Sequence, residues 1–225
     1  MSWSAFAAEE SRNFVFLGEA GCGKSELAVN LACYLADRQS GEDAAIHFFD
    51  MDQTKPLMRS RDTEGFLKEK GIRVHYEVQF ADAPVVVGGV ETALRDEKAY
   101  TILDVGGNDT GARLIGGFSG LLRTAQVFFV VNPYRPWSAT LEHIDQTLSA
   151  ILRASRLPMP RFLLNPNLGE DTTAEEYREG FRTGLALLAP HVKVEGAAVP
   201  AGICEAVREE ISLPLIPVTR RMASF

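Results

Sequence analysis

From Gly18 to Ser25 the chain reads "GEAGCGKS", the frame G-x-x-x-x-G-K-S. Glycines at Gly18, Gly21 and Gly23 let the main chain close around an anion with its N–H groups pointing inward. A helix N-terminus directly behind them adds a dipole that favours negative charge. In such a loop Lys24 reaches the β- and γ-phosphates of a nucleotide and the Ser25 hydroxyl ligates Mg²⁺. Cys22 inside the loop and Glu26 just after it complete the predicted cofactor-binding stretch. Two acidic segments follow. "FFDMDQTKP" carries Asp50 and Asp52, and "YTILDVGGNDTG" carries Asp104 behind four mainly apolar residues, the form of a Walker B strand. Carboxylates at strand ends hold Mg²⁺ or orient an attacking water. Strand-end aspartates also cap turns, and both readings stand for Asp50 and Asp52. Gly106 and Gly107 suit a segment that tightens on a triphosphate and relaxes after hydrolysis.

Chemistry of this kind needs a rigid frame. "NFVFLG" (13–18), "AAIHFFD" (44–50), "YTILDV" (100–105), "QVFFVVN" (126–132) and "RFLLN" (161–165) are β-branched and aromatic runs, apolar enough to be buried on both faces of a sheet. Helical patterns alternate with them. Leu27, Leu31 and Leu35 form one apolar stripe after the phosphate loop. Further helices are expected over 86–97, 137–154 and 173–189, the last capped by Thr172 or Thr173 against a following glutamate. The rhythm predicts a three-layer α/β fold of the P-loop NTPase type, a mostly parallel sheet flanked by helices. With no repeat and no long linker, residues 1–225 read as a single nucleotide-binding domain.

Composition narrows the function classes. The 225 residues carry a net charge of −7, which disfavours broad nucleic-acid affinity. No apolar run nears the roughly 20 residues that cross a bilayer, and the start lacks the pattern of a signal peptide. Pro214 and Pro217 break any membrane-lying helix near the end. The 3 cysteines, Cys22, Cys33 and Cys204, have no metal-site spacing and fit a reducing compartment. A cytoplasmic protein without nucleic-acid or membrane partners is expected.

Taken together, "GCGKSELAVNLACYLA", "FFDMDQTKP" and "ILDVGG" resemble the ParA/MinD group of P-loop ATPases, part of the SIMIBI class, over roughly residues 13 to 210. The resemblance implies ATP and Mg²⁺ as cofactors and a nucleotide-dependent homodimer. It assigns Lys24 and Ser25 to phosphate and metal, Asp52 to the hydrolytic water and Asp104 to metal support. Asn165 in "FLLNPN" would contact adenine, and "AAVPAGICEAV", which contains Pro200, would pack on the base from its other side. The implied catalytic set is Lys24, Asp52 and Asp104, and the implied metal set is Ser25, Asp52 and Asp104.

One position departs from that family. Its members carry a signature lysine five residues before the loop lysine, where this chain has Glu19. A carboxylate near phosphate is repelled by about 1 kcal/mol in water and more when partly buried, so Glu19 must face away, pair with a cation or turn to a partner. Arg113 and Arg135 are candidate replacement cations, with Lys55, Arg59 and Arg61 further ones. Cys22 near a helix N-terminus reads as a small loop residue or a redox-sensitive thiol. His47 reads as a hydrogen-bonded core residue. Tyr134 and Trp137 in "NPYRPWS" read as a partner-docking loop or as packing over the sheet edge.

The leading expectation is an ATP-binding switch, a slow ATPase releasing ADP and phosphate, that matures or activates a protein client. An ATP-dependent ligase or amidotransferase acting on a small carboxylate, with residues 55–98 as its substrate segment, is one alternative. A non-hydrolysing ATP sensor is the other.

Overall fold

The computed structural model describes residues 3–6, 11–38, 44–51, 60–76, 87–107 and 109–222. The strands are β1 (Asn13–Gly18), β2 (Ile46–Met51), β3 (Ile72–His75), β4 (Tyr100–Val105), β5 (Gln126–Val131), β6 (Arg161–Leu164), β7 (Val194–Pro200) and β8 (Leu215–Val218). The helices are α1 (Lys24–Arg38), α2 (Ser60–Glu69), α3 (Val90–Arg95), α4 (Asp109–Gly116), α5 (Leu141–Ser155), α6 (Ala174–Leu188) and α7 (Cys204–Val207). All eight strands pair in parallel, in the order β3-β2-β4-β1-β5-β6-β7-β8.

Parallel pairing follows from sequence. β1, β4 and β5 are buried from their second residue to their last, as strands covered by helices on both faces must be. Alternate side chains sort into two cores. Phe14, Phe16, Phe48, Ile102, Val130 and Leu163 face α1 and α2, whereas Val15, Leu17, Leu103, Phe129, Val131 and Leu164 face the helices of the opposite layer. Leu27, Leu31 and Leu35 of α1 are buried as the stripe requires. Each such side chain contributes about 1.5–3 kcal/mol on leaving water, and Leu31→Ala, at a fully enclosed site, costs about 2–5 kcal/mol.

The topology also fixes where a ligand binds. β1 lies between β4 and β5, so the chain leaves it in one direction towards β2 and β3 and later resumes on its other side. In open parallel sheets ligands sit outside the carboxyl ends of strands at such a switch point. Gly18 ends β1 there, with the loop and α1 directly behind it.

Several expected boundaries shift. The helix expected over 86–97 is confined to Val90–Arg95, and the one over 137–154 is divided into a 3₁₀ turn at Pro136–Ser138 and α5. Thr173 caps α6 in a reciprocal capping box with Glu176. β3, β7, β8, α2, α4 and α7 add to the elements expected from sequence. Among the described residues no helix is long and apolar enough to cross a membrane.

Candidate nucleotide-binding site

The loop from Glu19 to Gly23 bends through left-handed conformations at Gly21 (φ 76°) and Gly23 (φ 94°), entered from Gly18 at φ 141°. L-residues with a Cβ rarely adopt these angles. Close packing adds a second demand. A Cβ on Gly18 would stand 2.5 Å from the carbonyl oxygen of Val130. The glycine spacing is therefore a requirement of the backbone.

At the start of α1 the first turn offers main-chain donors. The Leu27 N–H bonds to Gly23 O at 3.1 Å, but no acceptor among the described residues takes the N–H of Ser25 or Glu26. Such orphan groups favour an anion. Lys24 is only 3% exposed, and Ser25 is half-buried beside it.

The register brings the acids to the same place. Asp104 pairs across the sheet with Phe16 of β1, two residues before Gly18, and with Asp50 of β2. Partners in parallel register share a face, so Asp50 and Asp104 lie on the α1 side with Phe16. Asp104 is 3% exposed. Gly107, just beyond it, rests against the phosphate loop: a Cβ there would meet Ala20 N at 2.5 Å and Glu19 C at 2.9 Å. The segment expected to sense phosphate thus lies in direct contact with the loop. Among the described residues no group of three or more His, Cys, Asp or Glu side chains forms a metal cluster. A hydroxyl, a nearby carboxylate and the phosphates themselves are the donors Mg²⁺ uses in sites of this kind. Ser25 and Asp104 fit that requirement.

This is a P-loop fold.

No protein-family model and no curated protein sequence matches the chain. Among solved structures it is similar to the signal recognition particle receptor FtsY of Elizabethkingia anophelis in complex with GDP. The identity is 14% and the TM-score 0.48, over 83% of this chain and 56% of that one. It is also similar to FlhF complexed with GMPPNP and Mg²⁺, at 16% identity and a TM-score of 0.44, over 77% of this chain and 62% of that one. The chain thus spans little more than half the length of these two proteins. The site assignment rests on the geometry of the P-loop in this chain.

Several predicted site residues also make contacts within the chain. Asn165 is 7% exposed, and its amide Nδ2 donates to the Cys22 carbonyl at 2.8 Å, which ties the end of β6 to the P-loop. Pro200 ends β7, next in the sheet to β6, after which Asn165 follows. The Glu26 side chain turns away from phosphate and accepts the N–H groups of Arg221 at 2.6 Å and Met222 at 3.2 Å. Burial pushes its carboxyl pKa up and these N–H groups pull it down. Only the main chain of Glu26 faces the cradle. Cys22 is fully buried, and burial raises its thiol pKa against the pull of Lys24. Full burial of the thiol favours the small-loop-residue reading of Cys22 over an accessible redox-sensitive thiol.

Asp52, Lys55 and Arg59 lie outside the described residues, as does the side chain of Arg61. Arg113 sits exposed on α4. Tyr134 packs on Gly180 and its hydroxyl donates to Glu176 O, which settles it as packing, whereas Trp137 is 58% exposed. Sequence reasoning missed the contacts of Glu19 with Trp137 and Ser138. Nothing in local pattern signals a bond between residues 118 or 119 positions apart.

Proposed function

We propose that this protein binds Mg²⁺–ATP in the P-loop and acts as a slow, nucleotide-dependent switch for a protein client. The observation that carries the reading is the β1–β4 register, which sets Asp104 opposite Phe16, beside the root of the P-loop. Lys24 and the N–H groups of Ser25 and Glu26 would hold the phosphates, and Ser25 with Asp104 the metal. Bound Mg²⁺ would neutralise charge between the β- and γ-phosphates. Gly107, in contact with the loop, would move with the γ-phosphate and carry its presence outward. The ParA/MinD-like order of motifs supports ATP as the nucleotide and a homodimer as the closed state. Asp52 would orient the hydrolytic water, and Asn165 and Pro200 would flank the base.

Calorimetry with MgATP, MgGTP and MgADP tests this directly. Saturable heat with MgATP that disappears in Lys24→Ala is expected. Heat that survives in Lys24→Ala, or is absent from the unaltered protein, sinks the reading. Preference for GTP overturns the ATP assignment while keeping the switch. Gel filtration with a non-hydrolysable ATP analogue tests the dimer.

A second reading has one observation in its favour. A cavity of about 390 Å³ opens at the carboxyl end of β3, lined among the described residues by Glu64, Val74, His75, Tyr76, Val87 and Gly88. A small metabolite fits that volume, which suits an ATP-dependent enzyme. ADP release that depends on one metabolite, and not on a protein, would select it.

A further inference from the structure

Glu19 breaks the charge logic of a phosphate site, and the fold resolves this with a crossed pair of contacts. Glu19 is 8% exposed. Its Oε2 accepts the Ser138 hydroxyl at 2.9 Å and its Oε1 accepts the Trp137 N–H at 3.3 Å. In the opposite direction Arg135 donates its Nε–H to the Gly21 carbonyl at 2.9 Å. The acid of the P-loop thus grips the 135–138 segment, and the base of that segment grips the P-loop.

Arg135 is anchored but not used up. A guanidinium carries five N–H donors, and the bond from Nε is the one hydrogen bond the Arg135 side chain makes among the described residues, beside main-chain bonds to Asn132 O and from Ser138 N. Its guanidinium carbon lies 3.9 Å from the position of a Cβ on Gly21, so no side chain separates the cation from the loop tip. Fixing Nε leaves the two terminal nitrogens on a fork that matches a phosphate edge. The negative charge at Glu19 is meanwhile held by donors of the 137–138 turn.

The geometry points to Arg135 as the cation that contacts the terminal phosphate of a bound nucleoside triphosphate from within the same chain, with Glu19 as the positioning residue that holds its segment in place. This rests on the nucleotide-binding reading above. It makes a cross-subunit lysine unnecessary, and triphosphate recognition would then be complete in a monomer.

The test is the ratio of affinities for a non-hydrolysable ATP analogue and for ADP, each with Mg²⁺, measured by calorimetry on the full chain. Arg135→Gln keeps a donor for Gly21 and guards against loss of folding, and Arg135→Ala removes it. The expected result is a loss of about tenfold or more in the triphosphate-to-diphosphate preference, with ADP affinity little changed. Arg135→Lys should recover part of the preference. Glu19→Ala should weaken it less than Arg135→Ala and should also shift the emission of Trp137, whose main-chain N–H it releases so that the 137–138 turn can move. An unchanged ratio in both Arg135→Gln and Arg135→Ala overturns the inference. An equal fall for both nucleotides also overturns it, since a brace for the loop would do that. If the unaltered protein binds neither nucleotide, the proposed function itself has failed and this inference falls with it.

Discussion

The side-chain amide of Asn165 lies across Gly23. Its Nδ2 donates to the Cys22 carbonyl at 2.8 Å and occupies the position that a Cβ on Gly23 would need. The last glycine of the P-loop and the residue after β6 are therefore one packing unit. Gly23→Ala meets two penalties, the left-handed backbone and the displaced amide, and should destabilise by about 1–3 kcal/mol. Asn165→Ala removes the second penalty alone. A double-mutant cycle read by urea denaturation should show the pair to be less destabilised than the sum of the singles, by about 0.5 kcal/mol or more. Strict additivity would contradict the contact.

Gly107 touches the P-loop backbone, so Gly107→Ala drives a methyl group against Ala20 N and Glu19 C. Neither backbone atom can swing aside as a side-chain tip would. The two segments must part, and MgATP affinity should fall about tenfold, or about 1.4 kcal/mol. Gly120, where a Cβ meets nothing within 4 Å, supplies the control. Gly120→Ala should leave affinity unchanged by calorimetry.

Asn30 ties α1 to the segment after β8. Its Nδ2 donates to Thr219 O at 2.9 Å and its Oδ1 accepts the Thr219 N–H at 3.0 Å, at a site 8% exposed. Asn30→Ala strands both main-chain groups. A loss of about 1–3 kcal/mol is expected in chemical denaturation.

On β2 and β3, His47 Nδ1 and His75 Nε2 are 2.9 Å apart, with the rings stacked. One nitrogen must donate and the other accept, which doubly protonated rings cannot do. Burial lowers both pKa values, with His75 and Arg73 adding to the effect at His47, Arg73 at His75, and Asp96 opposing it at His47. The unfolded chain then binds more protons than the folded one below the ordinary imidazole value of about 6.5. The stability held by this pair is complete above that pH and is lost progressively as pH falls from there through the lowered folded-state values. The urea midpoint should drop from pH 7 to pH 5.5, with a shallower slope in His75→Phe. Equal slopes would remove the pair from the explanation.

All 3 cysteines are buried. Native protein should react with an aromatic disulfide reagent far more slowly than the unfolded chain, which should titrate 3 thiols. Rapid reaction of Cys22 in native conditions would contradict its burial in the P-loop.

The parts legible in sequence were those coded by neighbours along the chain. The bounds expected for β1 and β4 hold to the residue because a strand buried on both faces is a continuous apolar run. The P-loop was legible because its glycine spacing, lysine and serine fall within eight residues. The shorter or interrupted elements were not. β3 mixes Arg73 and His75 into four residues, β7 contains Gly196, and β8 holds Pro217, which an edge strand tolerates.

Sequence by itself determined a parallel α/β frame, the phosphate cradle at the end of its first strand and the acids at the ends of two further strands. Tertiary structure alone decided which way those groups face. Glu19 is turned onto Ser138, Arg135 onto Gly21, Asn165 onto Cys22 and Glu26 onto Arg221, across separations of 114 to 195 residues. Periodicity and turn chemistry act over a few residues, whereas a hydrogen bond between distant segments forms only once the sheet order has brought them together. The charge at position 19 could be read from the chain, but its partner could not.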